Sequence, residues 1–358
     1  MIGFTIRKLL YSLIVLWGVV SLIFLLFFYL PADPARMMLG QRADEASLKA
    51  IRQDLGLDQP KWKQYVKYLN DLSPLSIHSK DEKDYFFYDK EIYKPSVEVI
   101  SFSENILVVK YPYLRRSYQS GKTVSGIITE TMPNTLILAV MAIIFASVFG
   151  IILGVLSAIH KNTWFDRTTI VFSTMGVSLP SFFAAILVGW LFAYVLGKYT
   201  GLNLTGNWVV MDDFGEGIRY EWKNLILPVF TLGMRPLGVI VQLTRNSMLD
   251  TMSMDFIRTA RAKGLSERRV IWIHALRNSL NPVVTAISGW FASMMAGVVF
   301  VEYIFGWKGL GYVVVDALGN FDLPLVLGCV LTISVIFIIV NFLVDIAYSL
   351  LDPRIRLN

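Results

Sequence analysis

The 358-residue sequence predicts an all-α polytopic membrane protein with six transmembrane helices and a small mixed α/β insertion outside the membrane after the first helix. Two observations carry this expectation. The composition is 55% hydrophobic against 17% charged, which is more apolar surface than one soluble core of this size buries. The apolar residues also fall into runs of roughly 20, the length a helix rising about 1.5 Å per residue needs to cross a hydrocarbon layer about 30 Å thick.

The first run, at 9–30, follows Arg7 and Lys8 and contains no charge. Its apolar stretch exceeds the roughly 7–15 residues of a signal-peptide core, and Leu30-Pro31-Ala32-Asp33 is a poor cleavage site, so 1–30 reads as a retained anchor. Further runs fit spans at 134–159, 168–196, 224–243, 282–304 and 324–350, giving a five-helix part over 133–358 with a loop at 246–281. Between the first and second runs, 31–132 is long enough to fold separately. Leu48, Ile51 and Leu55, then Trp62, Tyr65, Val66 and Leu69, have helical spacing, and Gly56 and Pro60 divide them into two short helices. Val97, Val99 and Ile106 to Val109 read as short strands within an insertion near 73–113.

Lysine and arginine in short loops set orientation, because translocating positive charge is disfavoured. Arg7 and Lys8, Lys161 and Arg167, the cluster Arg258, Arg261, Lys263, Arg268, Arg269 and Arg277, and finally Arg354 and Arg356 all fall on one side. The other side carries Asp212, Asp213, Glu216 and Glu221, and Lys308 beside Asp316 and Asp322. Both termini are therefore expected in the cytoplasm and 31–132 outside.

Several chemistries are excluded. The net charge of +6 is dispersed among apolar runs and forms no nucleic-acid groove. Cys329 has no partner for a disulfide or a cysteine cluster. His78, His160 and His274 fall in separate segments, so no metal site is expected. Ser120-Gly121-Lys122-Thr123 ends like a phosphate-binding loop, but Arg116 stands where that loop needs its first glycine. Gly176 to Pro180 echoes a serine nucleophile turn without its second glycine, and reads as a helix kink.

The distinctive segment is Asp255 to Leu280: a short helix, a glycine stop and a second helix. Ala260 and Ala262 permit close backbone approach, Gly264 suits the left-handed conformation that ends a helix, and Ser266 suits the cap of the next. Such an element fits a partner's groove; equally, its bases suit anionic headgroups, each worth about 1 kcal/mol near the surface.

This segment resembles the cytoplasmic loop of ABC importer permeases of the dipeptide and oligopeptide family, with alanine and glycine four apart at Ala260 and Gly264. The similarity continues through Asp166-Arg167, Gly176 to Phe182, Leu227-Pro228, Arg245, Asn281-Pro282, Gly297, Glu302, Phe305 to Gly311, and Asn341, Asp345, Tyr348 and Asp352-Pro353-Arg354. Pro31 to Ala35 and Leu55 to Pro60 match that family's first external loop. Arg277, where the loop of the wider importer class has a proline, looks typical of the peptide branch; the chain departs from the pattern at Lys308, which replaces a proline, and in the insertion.

The resemblance implies the first of two permease subunits in a bacterial inner-membrane importer for di- or oligopeptides or similar small solutes. It implies a second permease subunit, two ABC ATPase subunits that bind ATP and magnesium, and an extracytoplasmic solute-binding protein as partners, besides membrane lipid. It also implies no cofactor and no ATPase site in this chain. Asp255, Arg258, Ala260, Arg261, Lys263, Gly264 and Leu265 would then couple to the ATPase. An ion-coupled transporter or channel is the alternative; it calls for midplane ion ligands or inverted repeats, and the sequence offers neither clearly.

Helix breakers inside spans free backbone groups, tolerable where they face protein or water. Pro180, Pro228 with Gly233, and Pro236 with Gly238 are such positions. Intramembrane charge at Arg235, Glu302 and Asp345 needs a partner or water. Pro180, Arg235, Pro236 and Glu302 are thus the candidates for a translocation path, Arg235 pairing with a substrate carboxylate or an acid on a sister subunit. Asp345 reads as structural, and the insertion as either a docking surface or a structural cap.

Overall fold

The computed structural model describes residues 2–29, 34–39, 44–211 and 217–351. The readings placed on Pro31 to Asp33, on Asp212, Asp213 and Glu216, and on Asp352 to Arg356 lie outside these residues. Helix α1 (Ile2–Tyr29) is followed by α2 (Pro34–Leu39), α3 (Glu45–Asp54), α4 (Lys61–Leu72) and strands β1 (Leu75–Ser79), β2 (Ser96–Ser101) and β3 (Asn105–Lys110). Next come α5 (Val124–Ile159), α6 (Trp164–Ser178) and α7 (Ser181–Val188), which runs into a π-helical turn at Gly189–Val195. After α8 (Gly197–Thr200) and the ribbon β4 (Val209–Met211) and β5 (Ile218–Tyr220) come α9 (Lys223–Met252), α10 (Asp255–Ala262) and α11 (Glu267–Arg269). A second π-helical turn, Val270–Ala275, leads into α12 (Leu276–Ile304), then α13 (Leu310–Gly319) and α14 (Leu323–Leu351).

Among the described residues, 4 helices are long and apolar enough to cross a membrane unaided: α1, α5, α9 and α14. Two further bent pairs pass the same test jointly, raising the count to up to 6. One is α6 with α7 and its π turn, bent by 116°. The break falls where Leu179 precedes Pro180: the proline ring disfavours helical backbone in the residue before it, and Leu179 is extended at φ −74° and ψ 132°. The predicted kink is therefore a sharp break in the pair. By contrast, α9 runs unbroken through Pro228 and Pro236, as a single span over 224–243 requires. Both prolines are buried, so the backbone groups they free face protein.

The chain divides into two compact units. One contains the described residues of 8–130 and 313–332. The two short helices read from the sequence are α3 and α4, α3 being capped by Asp44, which accepts from the Ser47 amide at 3.2 Å. The strands form an antiparallel sheet in the order β1-β3-β2, with Leu75 opposite Val109. Its inner face closes over Tyr88, Tyr93, Ile106 and Val108. Beneath it, Asp71 of α4 accepts from the Tyr93 hydroxyl and from Arg115 Nε, both at 2.8 Å. Burial pushes Lys110 down to about 8 and His78 down to about 4, since a desolvated cation is disfavoured.

The other unit holds the described residues of 1–7, 131–312 and 333–358. Its main core gathers Leu138 and Ala142 of α5, Val188 of α7, Leu232 of α9, Val298 of α12 and Trp307. Lipid supplies no hydrophobic drive between helices, so close van der Waals contact over small residues does the work. A Cβ added to Gly150 would stand 2.7 Å from Ile240 Cγ2, and one added to Gly154 would stand 2.6 Å from Thr244 Cβ. The GxxxG face of α5 thus lies directly on α9.

Candidate functional site

The segment singled out by sequence folds as expected in outline. Asp255 opens α10 as an acid in the first turn, favourable near a helix N-terminus. Ile257 and Ala260 are buried, while Arg258, Ala262 and Lys263 face outward. Lys263 is the C-cap and Gly264 follows at φ +75°, with nothing within 4 Å of a Cβ placed there. Glycine is needed for backbone conformation, not for space. Arg261 then reaches across the stop to Glu267 at 2.8 and 3.2 Å, tying α10 to α11. Ser266 occupies the N-cap position of α11 in an extended conformation, but its side chain makes no cap hydrogen bond. Here the sequence reading is corrected.

The inner side of this loop is a core of its own. Ile257, Ala260, Val270 and Ala275 pack with Val155 and Ala158 from the end of α5 and Met248 from the end of α9, with Leu265 half-buried against them. The outer side shows Phe256, Trp272 and Ile273 among the bases. The seven coupling candidates therefore divide: Ala260 and Leu265 anchor the loop, whereas Asp255, Arg258, Arg261, Lys263 and Gly264 lie on its exposed surface.

The path candidates do not converge. Pro180 is exposed at the N-cap of α7, and Pro236 is buried in α9. Arg235 is exposed on α9, its guanidinium 6.0 Å from the centre of the Trp290 ring on α12. Glu302 is fully buried and accepts from the amides of Gly311 at 2.7 Å and Tyr312 at 3.2 Å, holding the start of α13. Gly309 and Gly311 leave room for that carboxylate, since a Cβ on either would collide with it. Nearby, Trp307 donates from its indole to the Asn134 carbonyl at 3.0 Å, and Asn134 donates to the Lys308 carbonyl at 2.7 Å.

One buried ion pair escaped sequence reasoning. Asp166 in the first turn of α6 accepts from Arg245 Nε at 2.6 Å and Nη2 at 2.7 Å, and from the Asn162 amide at 2.9 Å and the Ser157 hydroxyl. Both positions were on the sequence as points of resemblance, 79 residues apart. Only a pairing of one acid at a helix start with one base late in α9 could have signalled the contact. Among the described residues no group of three or more His, Cys, Asp or Glu side chains could hold a metal.

Comparison with known proteins bears on this geometry. Two family models match: binding-protein-dependent transport system inner membrane component over residues 150–357, and the N-terminal part of such membrane components over residues 1–81. The dipeptide transport system permease protein DppB of Alkalihalophilus pseudofirmus is 31% identical, the alignment covering 99% of this chain and 100% of that protein. The di/tripeptide permease DppB of Pseudomonas aeruginosa is 32% identical and the dipeptide permease DppB of Escherichia coli K12 34%, each over 99% of both chains. A chain of the methionine ABC transporter MetNI in inward-facing conformations superposes with a TM-score of 0.51 at 14% identity, covering 64% of this chain and 97% of that one, a likeness of fold. By the family match over its membrane part and full-length identity above 30%, this chain belongs to the inner membrane components of binding-protein-dependent transport systems.

Proposed function

We propose that this chain is one of the two transmembrane subunits of an ABC importer for di- or oligopeptides or similar small solutes, forming the path while separate subunits hydrolyse ATP. The observation that carries this reading is the loop from Asp255 to Ala275, whose inner side is built into the ends of α5 and α9 and whose outer side presents apolar residues among bases. A purely headgroup-binding loop has no need of Gly264, the Arg261–Glu267 tie or a private core. The peptide preference rests on the names of full-length relatives, which are peptide permeases.

In this reading the chain crosses the membrane six times, each bent pair counting as one span. Both termini and the Asp255–Ala275 loop lie in the cytoplasm, and the segment holding β1 to β3 is a small external insertion. Partners are a second permease subunit, two ABC ATPases carrying ATP and magnesium, and a solute-binding protein. The chain itself holds no cofactor and no ATPase site. Asp255, Arg258, Arg261, Lys263 and Gly264 meet the ATPase. Arg235 supports a shared path, because a charge on the surface of a span is expensive against lipid and is accommodated by a sister subunit or water. Purification of the tagged protein from its host in mild detergent, with mass spectrometry of what accompanies it, tests the reading. A second permease subunit with ABC ATPases is expected; a stable complex lacking any ATPase would overturn it in favour of a channel or ion-coupled carrier.

A further inference from the structure

Within the unit that contains most of α1, the outer end of that span and the start of α4 enclose a groove of about 380 Å³. Its α1 wall is Trp17, Phe24 and Leu25; its α4 wall is Trp62 and Tyr65, with Lys61 at the first turn. Its hydroxyls are already paired: those of Ser21 and Tyr65 lie 2.6 Å apart, and that of Ser21 donates to the Trp17 carbonyl at 2.7 Å. The Phe24 and Tyr65 rings meet tilted by 59°, 5.2 Å between centres. The lining thus asks for an apolar occupant.

Three features say what that occupant is. The Leu10–Phe27 window of α1 is only 17% buried, and Trp17 and Leu25 are exposed on it, so the groove opens onto the face that a membrane span turns to lipid. Along α4, Trp62 and Val66 form an exposed apolar stripe one turn apart, outside the buried side made by Gln64, Tyr68 and Asp71. Finally Lys61 and Lys63 flank Trp62, with Lys63 Nζ 5.8 Å from its ring centre. Aromatic rings with lysines at the end of a span are the arrangement found at headgroup level.

We propose that this groove is a phospholipid site in the leaflet opposite Arg7 and Lys8. One acyl chain lies along Trp17, Phe24 and Leu25, and the phosphate sits against Lys61. Tyr65 meets α1 at Ser21, eight residues before Tyr29 and so about 12 Å down the helix axis. That depth seats the chain below the headgroup level and leaves the lysines at its rim.

The test places p-benzoylphenylalanine at Leu25, or at the exposed Leu13 as a control, in the full-length chain in its native membrane. After irradiation the mass of the purified chain is read. A phospholipid-sized adduct is expected at Leu25, several-fold more abundant than at Leu13. Lys61→Gln is expected to lower the Leu25 adduct about fivefold, the loss of one lysine–headgroup attraction, without changing the Leu13 adduct. A protein-sized adduct at Leu25, equal yields at both positions, or indifference to Lys61→Gln each overturns the proposal. Native mass spectrometry of phospholipid retained after detergent washing gives a second measurement: equal retention by the parent chain and a Leu25→Trp variant that fills the groove counts against the site. None of these readouts depends on ATPase partners, so they fail or succeed apart from the importer reading.

Discussion

Removing Arg245 strips the Asp166 carboxylate of two of its four donors and leaves a side chain only 2% exposed without its counter-ion. Breaking a buried ion pair by deleting one partner destabilises by about 3–5 kcal/mol. The Asn162 amide and Ser157 hydroxyl remain, and Arg245 itself is 15% exposed, so Arg245→Ala falls at the lower end, about 3 kcal/mol. Asp166→Asn keeps the shape and leaves a guanidinium that retains Asn246 at 3.2 Å and some access to solvent; about 2 kcal/mol is expected. The double variant Asp166→Asn/Arg245→Ala no longer buries an unpaired charge, so it is expected to be less destabilised than the sum of the two single variants. The assay is reversible denaturant unfolding of the purified protein in mild detergent, followed by tryptophan fluorescence. Additivity of the single effects within about 0.5 kcal/mol would refute the argument, because uncoupled sites add to that tolerance.

Gly264→Val places a β-branched residue at φ +75°, costing about 1–2 kcal/mol of backbone strain without a clash; stimulated ATPase and uptake are expected to fall while the amount of assembled protein is unchanged. Gly154→Ala drives a methyl to 2.6 Å from Thr244 Cβ and should lower the thermal midpoint, whereas Gly121→Ala, with nothing nearby, meets strain alone. For His78, the folded value near 4 lies below the ordinary 6.5, so the unfolded chain takes up the proton first as pH falls. The contribution of His78 to the stability of the sheet unit is therefore full above 6.5 and lost by about pH 4, at most about 3 kcal/mol. Amide exchange over 75–110, corrected for its intrinsic rate, should show this loss, and His78→Gln should flatten it.

Apolar spans and the short helices α3 and α4 were legible because their signals are local. Twenty apolar residues in a row, or Gly56 and Pro60 between two helical stripes, need no tertiary knowledge. The 116° bend at Pro180 was legible as a break and not as an angle, since proline fixes only its own φ and its predecessor's preference. Pro228 and Pro236 were legible as breakers inside a span but not as buried ones, because whether the freed backbone faces protein or water depends on neighbours from other parts of the chain. The Gly264 stop was readable from one residue. Its core was not, because Val155, Met248 and Val270 come from three elements. Glu302 looked like a path residue, an acid in a span, until its carboxylate was seen to hold two amides nine and ten residues on.

The backbone contact of α5 with α9 has a mechanical consequence. Where Gly150 and Gly154 let one helix rest on the other, with only the Ile240 and Thr244 side chains and α9 carbonyls against them, the two are packed closely, as one beam. Val155 and Ala158 at one end of this beam, with Met248, are the same residues that wall the core of the Asp255–Ala275 loop. The loop is thereby founded on both helices at once, Gly154 lying within four residues of both Val155 and Ala158.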